Sequence, residues 1–155
     1  MRIGMGYDIH QLAPNRRLVL GGVEIPHPLG LIGHSDADAV IHAVCDALLG
    51  AAGLGDIGTH FPDTDPDYRN IDSGRLLVRC REMVAHGGNS VVNADITVFA
   101  ESPRISPHRE AMSRNLARLL AIDPSRVNIK ATTAEGLGPV GRGEGIAAAC
   151  VLLID

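Results

Sequence analysis

The C-terminal segment from Ile146 to Ile154 consists only of apolar residues, and it limits the folds that the chain can adopt. The run is too short to cross a bilayer, because a membrane-spanning helix needs about 20 residues. A strand that is apolar on both faces has to be covered on both, either by the rest of the chain or by another subunit. We therefore predict a buried final strand over residues 146–153.

The remaining segments alternate between strand and helix periods. Residues 3–10 have strand period. One face of that strand carries Ile3, Met5, Tyr7 and Ile9, and the other carries Gly4, Gly6, Asp8 and His10. Further predicted strands cover residues 91–100 and 126–132, a hairpin covers 17–25, and helices cover 36–49, 72–86 and 107–121. Residues 26–35 and 53–69 are predicted loops, the second long enough to be functional or mobile.

The interleaved strands and helices predict an α/β (α+β) fold. We expect one domain over residues 1–155, built as a two-layer sandwich with a mixed β-sheet and helices mainly on one face. The two glycines of the first predicted strand, Gly4 and Gly6, leave room on their face for another group to approach.

Composition narrows the class of function. The chain is 45% hydrophobic and 21% charged, which suits an ordinary core. A net charge of −4, with two tyrosines, two phenylalanines and no tryptophan, argues against a nucleic-acid-binding protein. The three cysteines form no CxxC motif, and neither a secretory signal nor a membrane segment is visible. We expect a cytoplasmic (bacterial) protein that acts on small molecules.

Asp8 and His10 are candidate metal ligands, because the strand period places both on one face. On the first predicted helix, Asp38, His42 and Asp46 repeat every four residues and form one polar stripe. One aspartate and two histidines suit tetrahedral Zn²⁺ with an open fourth position. Asp38 and Asp46 are candidate supporting residues, with Asp46 one turn beyond His42 to orient its imidazole. The alternative is a stripe that faces water beside a chance Asp-x-His pattern.

Two further groups of residues suit phosphate chemistry. His34 directly precedes Ser35, the predicted N-cap of the helix, where backbone N–H groups attract anions. The alternative is a loop histidine bonded to a carbonyl. Thr132, Thr133 and Glu135 follow a predicted strand and offer hydroxyls for phosphate oxygens and a carboxylate for Mg²⁺.

The chain resembles the 2-C-methyl-D-erythritol 2,4-cyclodiphosphate synthase family in four segments, "MRIGMGYDIHQL", "HSDADAVIHAVCDALLGAAGLGDIGTHFPDTDP", "NIKATTAEGLG" and "GRGEGIA". They occur in the family's order over essentially the whole chain. The resemblance implies a phosphorus–oxygen lyase of the non-mevalonate isoprenoid pathway. In that reaction the 2-phosphate of 4-diphosphocytidyl-2-C-methyl-D-erythritol 2-phosphate attacks the β-phosphorus, and CMP leaves. It also implies a homotrimer with active sites between adjacent subunits.

The family's functional residues correspond to positions in these segments. Asp8, His10 and His42 match the family's Zn²⁺ ligands, and Glu135 matches a ligand of Mg²⁺ or Mn²⁺ that binds with the substrate. His34 and Thr133 match residues that stabilise the transition state. The resemblance implies that the substrate contacts are Ser35, Asp56, Ile57, Gly58, Phe61, Pro62, Asp63, Thr64, Asp65, Ala100, Glu101, Ser102, Pro103, Arg104, Ile105, Ser106, Ala131, Thr132 and Arg142.

Two positions depart from the family pattern. Gly136 stands where a lysine follows the motif glutamate, and Pro139 stands where an aromatic residue lines a cavity on the trimer axis. Isoprenoid diphosphates bind in that cavity in the family, and Arg142, which would hold the diphosphate, is retained. The departures concern this cavity and leave the catalytic residues in place.

Two other functions are consistent with the residues. One is a zinc-dependent phosphohydrolase, in which the open metal position activates water and inorganic phosphate is released. The other is a trimeric, metal-stabilised module that binds a prenyl diphosphate without catalysis.

Overall fold

The computed structural model describes residues 1–155, and its centre is a five-stranded sheet in the order β4-β1-β7-β5-β6. β5 and β6 are parallel and the other neighbours are antiparallel, so the sheet is mixed, as predicted. A separate hairpin pairs β2 with β3. The strands are β1 Arg2–Pro14, β2 Leu18–Leu20, β3 Val23–Ile25, β4 Leu29–Leu31, β5 Val91–Phe99, β6 Val127–Thr132 and β7 Gly145–Ile154.

Helices cover one face of the sheet. α1 packs against β1 and β7, α4 packs against β6, and α3 lies against α1 and α4. None of the helices is long and apolar enough to cross a membrane. The helices are α1 Ala39–Ala52, α2 Ile57–His60, α3 Ser73–His86, α4 Arg109–Leu120 and α5 Gly138–Gly141, with 3₁₀ turns at Pro66–Tyr68, Ser106–His108 and Pro124–Arg126.

The face of β1 that carries glycines is the one that α1 covers. A Cβ on Gly4 would lie 1.8 Å from the Ala47 carbonyl oxygen, and one on Gly6 would lie 2.0 Å from that of Ala43. The group that approaches these glycines is therefore the backbone of α1. The opposite, apolar face of β1 is open in the single chain, with exposed fractions of 69% for Ile3, 63% for Met5, 51% for Tyr7 and 42% for Ile9.

β7 lies between β1 and β5, as its apolar sequence requires. On the helix side its buried residues are Ile146, Ala148, Cys150, Leu152 and Ile154. On the other side Val151 is 45% exposed. The chain itself therefore buries the helix-side face of β7, as predicted. The other face is partly open in the single chain, and the prediction leaves another subunit to cover it.

Several boundaries differ from the predictions: β1 continues to Pro14, α1 continues to Ala52, and the predicted loop over 53–69 contains α2 and a 3₁₀ turn. α1 begins at Ala39 rather than at residue 36, and its N-cap is Asp38 rather than Ser35, because the Asp38 carboxylate accepts the Ile41 backbone N–H. The predicted loop over 26–35 contains β4, which pairs with the end of β1. A three-residue strand has too few positions to show a period.

Candidate metal centre and active site

Asp8, His10 and His42 converge where β1 faces α1. Asp8 Oδ2 is 3.1 Å from His10 Nε2 and 3.1 Å from His42 Nδ1, and the two ring nitrogens are 3.0 Å apart. The two strand residues share one face, and α1 approaches that face closely enough at Gly6 to bring His42 to them. The three side chains are mostly buried, with exposed fractions of 23%, 21% and 14% in chain order.

This triangle has the dimensions of a divalent metal site. Two ligands bound at about 2.0 Å from a tetrahedral ion stand about 3.3 Å apart, close to the separations found here. The three contacts cannot all be hydrogen bonds, because ring nitrogens that both donate to Asp8 oppose each other across the 3.0 Å between them. One cation in the triangle satisfies all three.

The charges in the triangle reinforce one another. Burial alone raises the pKa of Asp8, but hydrogen bonds from His10 and His42 outweigh it and hold that pKa well below its usual range. Burial alone lowers the pKa of His42, but the Asp8 carboxylate outweighs it and raises that pKa above 6.5. The site therefore attracts positive charge, whether a proton or a metal ion.

Two serine hydroxyls hold the far side of the His42 ring. His42 Nε2 is 3.0 Å from Ser73 Oγ and 3.1 Å from Ser35 Oγ. Ser73 is fully buried at the first position of α3. Ser73 could not be identified from the sequence, because nothing in its neighbourhood distinguishes it from an ordinary residue at the start of a helix.

The two carboxylates expected to support the metal site have other partners. Asp46 accepts the Ile57 backbone N–H at 2.8 Å, which fixes the start of α2 instead of the His42 ring. Asp38 accepts backbone N–H groups from Gly21 at 2.9 Å and Gly22 at 2.6 Å. The polar stripe therefore does not form one functional unit, because a carboxylate at a helix N-cap has the same spacing as one inside the helix.

Asp38 is a structural anchor. Its carboxylate is fully buried and joins the β2–β3 turn to the start of α1. Burial raises the pKa of Asp38 to about 6, and the backbone N–H groups that it accepts oppose that rise. Asp38 therefore helps to hold the start of α1 in place and does not contact the metal triangle.

A cleft of about 510 Å³ lies beside His10 and His42. The candidate substrate residues that line it are His34, Ser35, Ile57, Gly58, Phe61, Pro62 and Asp63. Asp56 is exposed at the N-cap of α2 and accepts the Thr59 N–H and hydroxyl at 2.8 and 2.7 Å. Thr64 and Asp65 follow the cleft, and Asp65 caps the next 3₁₀ turn.

His34 contacts a backbone carbonyl, as expected for the alternative of a loop histidine bonded to a carbonyl. Its Nε2 lies 3.1 Å from the Asp65 carbonyl oxygen, while the ring still lines the cleft. Arg16, another residue that the sequence did not reveal, donates to the carbonyls of Leu31, Gly33 and Ser35 at 3.2, 3.4 and 3.3 Å. Arg16 thereby holds the loop that presents His34.

The second group of candidate residues lies beyond the ends of β5 and β6. Thr133 Oγ1 donates to Glu135 Oε1 at 2.7 Å, and Glu101 Oε1 accepts the Ala134 N–H at 2.9 Å. Arg142 is bonded to Glu144 at 2.7 Å. In this group Ala100 and Ile105 are buried and Pro103 is half-buried; the exposed candidates are Glu101, Ser102, Arg104, Ser106, Ala131, Thr132, Thr133, Glu135 and Arg142.

The sheet separates this second group from the metal triangle. Ile9 pairs with Ala147, Ala147 with Phe99, and Phe99 with Thr132. With neighbouring strands about 4.8 Å apart, this row puts Thr132 about 14 Å from Ile9. One chain therefore does not bring its own Thr133 and Glu135 against its own metal ligands.

A mixed sheet with one helix-covered face, and an Asp-His-His set between strand and helix, define an α/β protein with a triad suited to a divalent metal. The model of the YgbB family matches residues 1–155. The chain belongs to this family.

The relatives are similar along the whole chain. The 2-C-methyl-D-erythritol 2,4-cyclodiphosphate synthase of Desulfatibacillum aliphaticivorans is 57% identical over 155 residues, which is 100% of both chains. The synthase of Nitrosospira multiformis is 59% identical over 153 residues, 99% of this chain and 86% of the relative.

Solved structures show the same fold. A CDP-bound structure of 2C-methyl-D-erythritol-2,4-cyclodiphosphate synthase has a TM-score of 0.92 at 40% identity, covering 99% of this chain and 100% of the other. The bifunctional IspDF from Campylobacter jejuni has a TM-score of 0.95 at 44% identity over 99% of this chain. This chain spans 42% of that longer protein.

Proposed function

We propose that the chain is a phosphorus–oxygen lyase that forms 2-C-methyl-D-erythritol 2,4-cyclodiphosphate. Its substrate is 4-diphosphocytidyl-2-C-methyl-D-erythritol 2-phosphate. The observation that carries the proposal is the set of Asp8, His10 and His42 at ligand spacing beside an open cleft. Relatives named for this activity match the chain from end to end.

The proposed reaction is an intramolecular phosphoryl transfer. An oxygen of the 2-phosphate forms a bond to the β-phosphorus of the diphosphate, and the bond from that phosphorus to the bridging oxygen breaks. CMP leaves with that oxygen, and no external nucleophile is consumed. Catalysis of this kind rests on folding the substrate into a ring and neutralising its oxygens.

The cleft residues fit this task. Asp8, His10 and His42 would hold Zn²⁺, which supplies Lewis-acid charge to the phosphate oxygens when bound. The His34 ring lines the same cleft, where it would donate to a phosphate oxygen of the substrate. Thr133 would donate to the charge that develops in the transition state, and Glu135 would hold Mg²⁺ or Mn²⁺, which would neutralise phosphate charge.

The remaining residues would bind the ribose, the methylerythritol and the cytosine of the substrate. Asp56 to Gly58 would bind the ribose, and 61–65 would lie along the methylerythritol. Residues 100–106 with Ala131 and Thr132 would frame the cytosine. The CDP bound to a structural relative supports a cytidine diphosphate ligand.

We further propose a homotrimer whose active sites lie between adjacent subunits. Two features support association: the apolar open face of β1 and β7, and the roughly 14 Å that separates the two halves of the site within one chain. A second copy would bring its Thr133 and Glu135 to the metal triangle of the first. Arg142 near the axis would take part in any isoprenoid diphosphate site, with Gly136 and Pro139 altering its lining.

Phosphorus NMR of the purified protein with the diphosphocytidyl substrate tests the proposal. The expected products are CMP and a cyclic diphosphate, and both should disappear when a chelator removes the metal. Release of inorganic phosphate would instead identify a phosphohydrolase. Binding without either product would identify a non-catalytic module.

A further inference from the structure

Buried Ser73 and half-buried Asp36 form a hydrogen-bonded pair behind the candidate metal ligand His42. The Ser73 hydroxyl contacts Asp36 Oδ1, and the Ser73 backbone N–H donates to Asp36 Oδ2 at 3.2 Å. Ser73 Oγ also lies 3.0 Å from His42 Nε2. The three residues come from the loop before α1, from α1 itself and from the first turn of α3.

The protons in this chain of contacts can be assigned from donor and acceptor chemistry. An ionised carboxylate only accepts hydrogen bonds, so the single hydroxyl proton of Ser73 has to point at Asp36. Ser73 Oγ can then only accept from His42, and His42 Nε2 has to carry the proton that it donates. Ser35 Oγ, at 3.1 Å from the same nitrogen, is a second acceptor when its own proton points at Ser73 Oγ, 3.3 Å away.

This assignment decides whether the His42 nitrogen that faces the metal triangle has a lone pair free to bind a metal. A neutral imidazole with its proton on Nε2 has its lone pair on Nδ1, the atom 3.1 Å from Asp8 Oδ2. We propose that Asp36, acting through Ser73, is a positioning pair that fixes His42 in the Nε2–H tautomer, with Nδ1 free to bind the metal. The inference rests on the metal site in the proposed function and adds residues to it.

The surrounding backbone keeps the pair in register. Asp36 N–H donates to the Ile71 carbonyl at 3.1 Å, and Asn70 N–H donates to the His34 carbonyl at 2.7 Å. The segment before α3 is thereby bonded at two points to the loop before α1. Ser73 is fully buried, so water does not replace its hydroxyl.

Asp36→Asn is the sharpest variant, because it keeps the shape and changes only the protons. If the amide oxygen accepts the Ser73 N–H, the NH₂ group points at Ser73 Oγ and turns the hydroxyl proton toward His42. If the amide is reversed, its NH₂ group opposes the Ser73 N–H. Either arrangement disturbs the proton order that the ionised carboxylate imposes.

The experiment measures zinc affinity by competition with a chelator in the full-length protein. Asp36→Asn and Ser73→Ala should each weaken zinc binding about 10- to 100-fold, the usual cost of removing a group that orients a ligand. Ser113→Ala is the matched control, since Ser113 donates to the Val127 carbonyl at 2.9 Å outside the site and should leave the affinity unchanged.

Nitrogen-15 NMR of the histidine rings gives the second readout. The wild-type zinc-loaded protein should show His42 protonated at Nε2 and metal-bound at Nδ1. A proton on Nδ1, or zinc affinities of Asp36→Asn and Ser73→Ala within twofold of wild type, would overturn the inference. If Ser73→Ala does not fold, Asp36→Asn and the wild-type spectrum still decide. Both readouts are independent of product formation, so failure of the cyclase proposal would be seen separately.

Discussion

Gly6 lies so close to Ala43 that a Cβ on the glycine would stand 2.0 Å from the Ala43 carbonyl oxygen. This contact sets the distance between β1 and α1, and the metal triangle lies across the same boundary. The positions of Asp8 and His10 relative to His42 therefore depend on a glycine that touches no metal or substrate.

Gly6→Ala should destabilise the fold by about 3 kcal/mol, because the contact is with backbone that cannot turn aside. Urea unfolding measures the loss. Gly50→Ala is the control: Gly50 lies in α1, and a Cβ there would have no neighbouring atom within 4 Å, so alanine should be neutral or stabilising by up to about 1 kcal/mol. An unchanged midpoint for Gly6→Ala would contradict the packing account.

The stabilisation that zinc provides should increase with pH. Without metal, the raised pKa of His42 stabilises the fold below 6.5, and that contribution is lost as the pH rises through the folded-state value. Zinc has to displace the same proton, so its affinity increases over this range. The difference in Tm between zinc-loaded and chelated protein should therefore grow from acid to neutral pH. His86→Ala, outside the site, should keep the same profile, and a flat profile in the wild type would argue against His42 as a ligand.

Asp56→Ala should weaken binding of a cytidine nucleotide, because the proposed contact is between this carboxylate and the ribose. Calorimetric titration with CDP measures the change, and a tenfold or greater loss, about 1.4 kcal/mol of binding free energy, is expected. Thr59→Ala removes the hydroxyl partner at 2.7 Å and keeps the carboxylate, so it should bind CDP normally. Equal affinities for wild type and Asp56→Ala would remove Asp56 from the site.

Met5→Glu should produce a folded but inactive monomer. Met5 is 63% exposed on the open face of β1, so the charge disturbs association and not the core of the chain. Sedimentation should show a trimer for the wild type and for Ala85→Glu, a change on the exposed side of α3. A wild-type monomer that forms the cyclic diphosphate would contradict a site shared between subunits.

The sequence predicted the elements well where a period runs over many residues. The alternation along β1 identified Asp8 and His10 as neighbours, and the helical stripe supplied His42. The alternation could not tell which face of β1 is covered, because glycines pack against a helix as effectively as larger apolar residues do when backbones touch. The open apolar face became visible only with α1 in place.

The supporting residues could not be predicted from local patterns. Ser73 meets His42 only because the segment before α3 bonds to the loop before α1, and these residues are far apart in sequence. Asp38 has the spacing of a helix residue but caps the helix by accepting the Ile41 N–H, and its carboxylate also accepts from the β2–β3 turn. Contacts of this kind depend on tertiary structure.

X-ray absorption at the zinc edge tests the central claim most directly, because it reports the atoms bound to the ion. We expect one zinc ion per chain, bound to two imidazole nitrogens and one carboxylate oxygen at about 2.0 Å, with the fourth position open to a small ligand. His42→Ala should lose the ion while the chain stays folded. Zinc bound through sulfur at about 2.3 Å, or no stoichiometric zinc in the wild-type protein, would contradict the account.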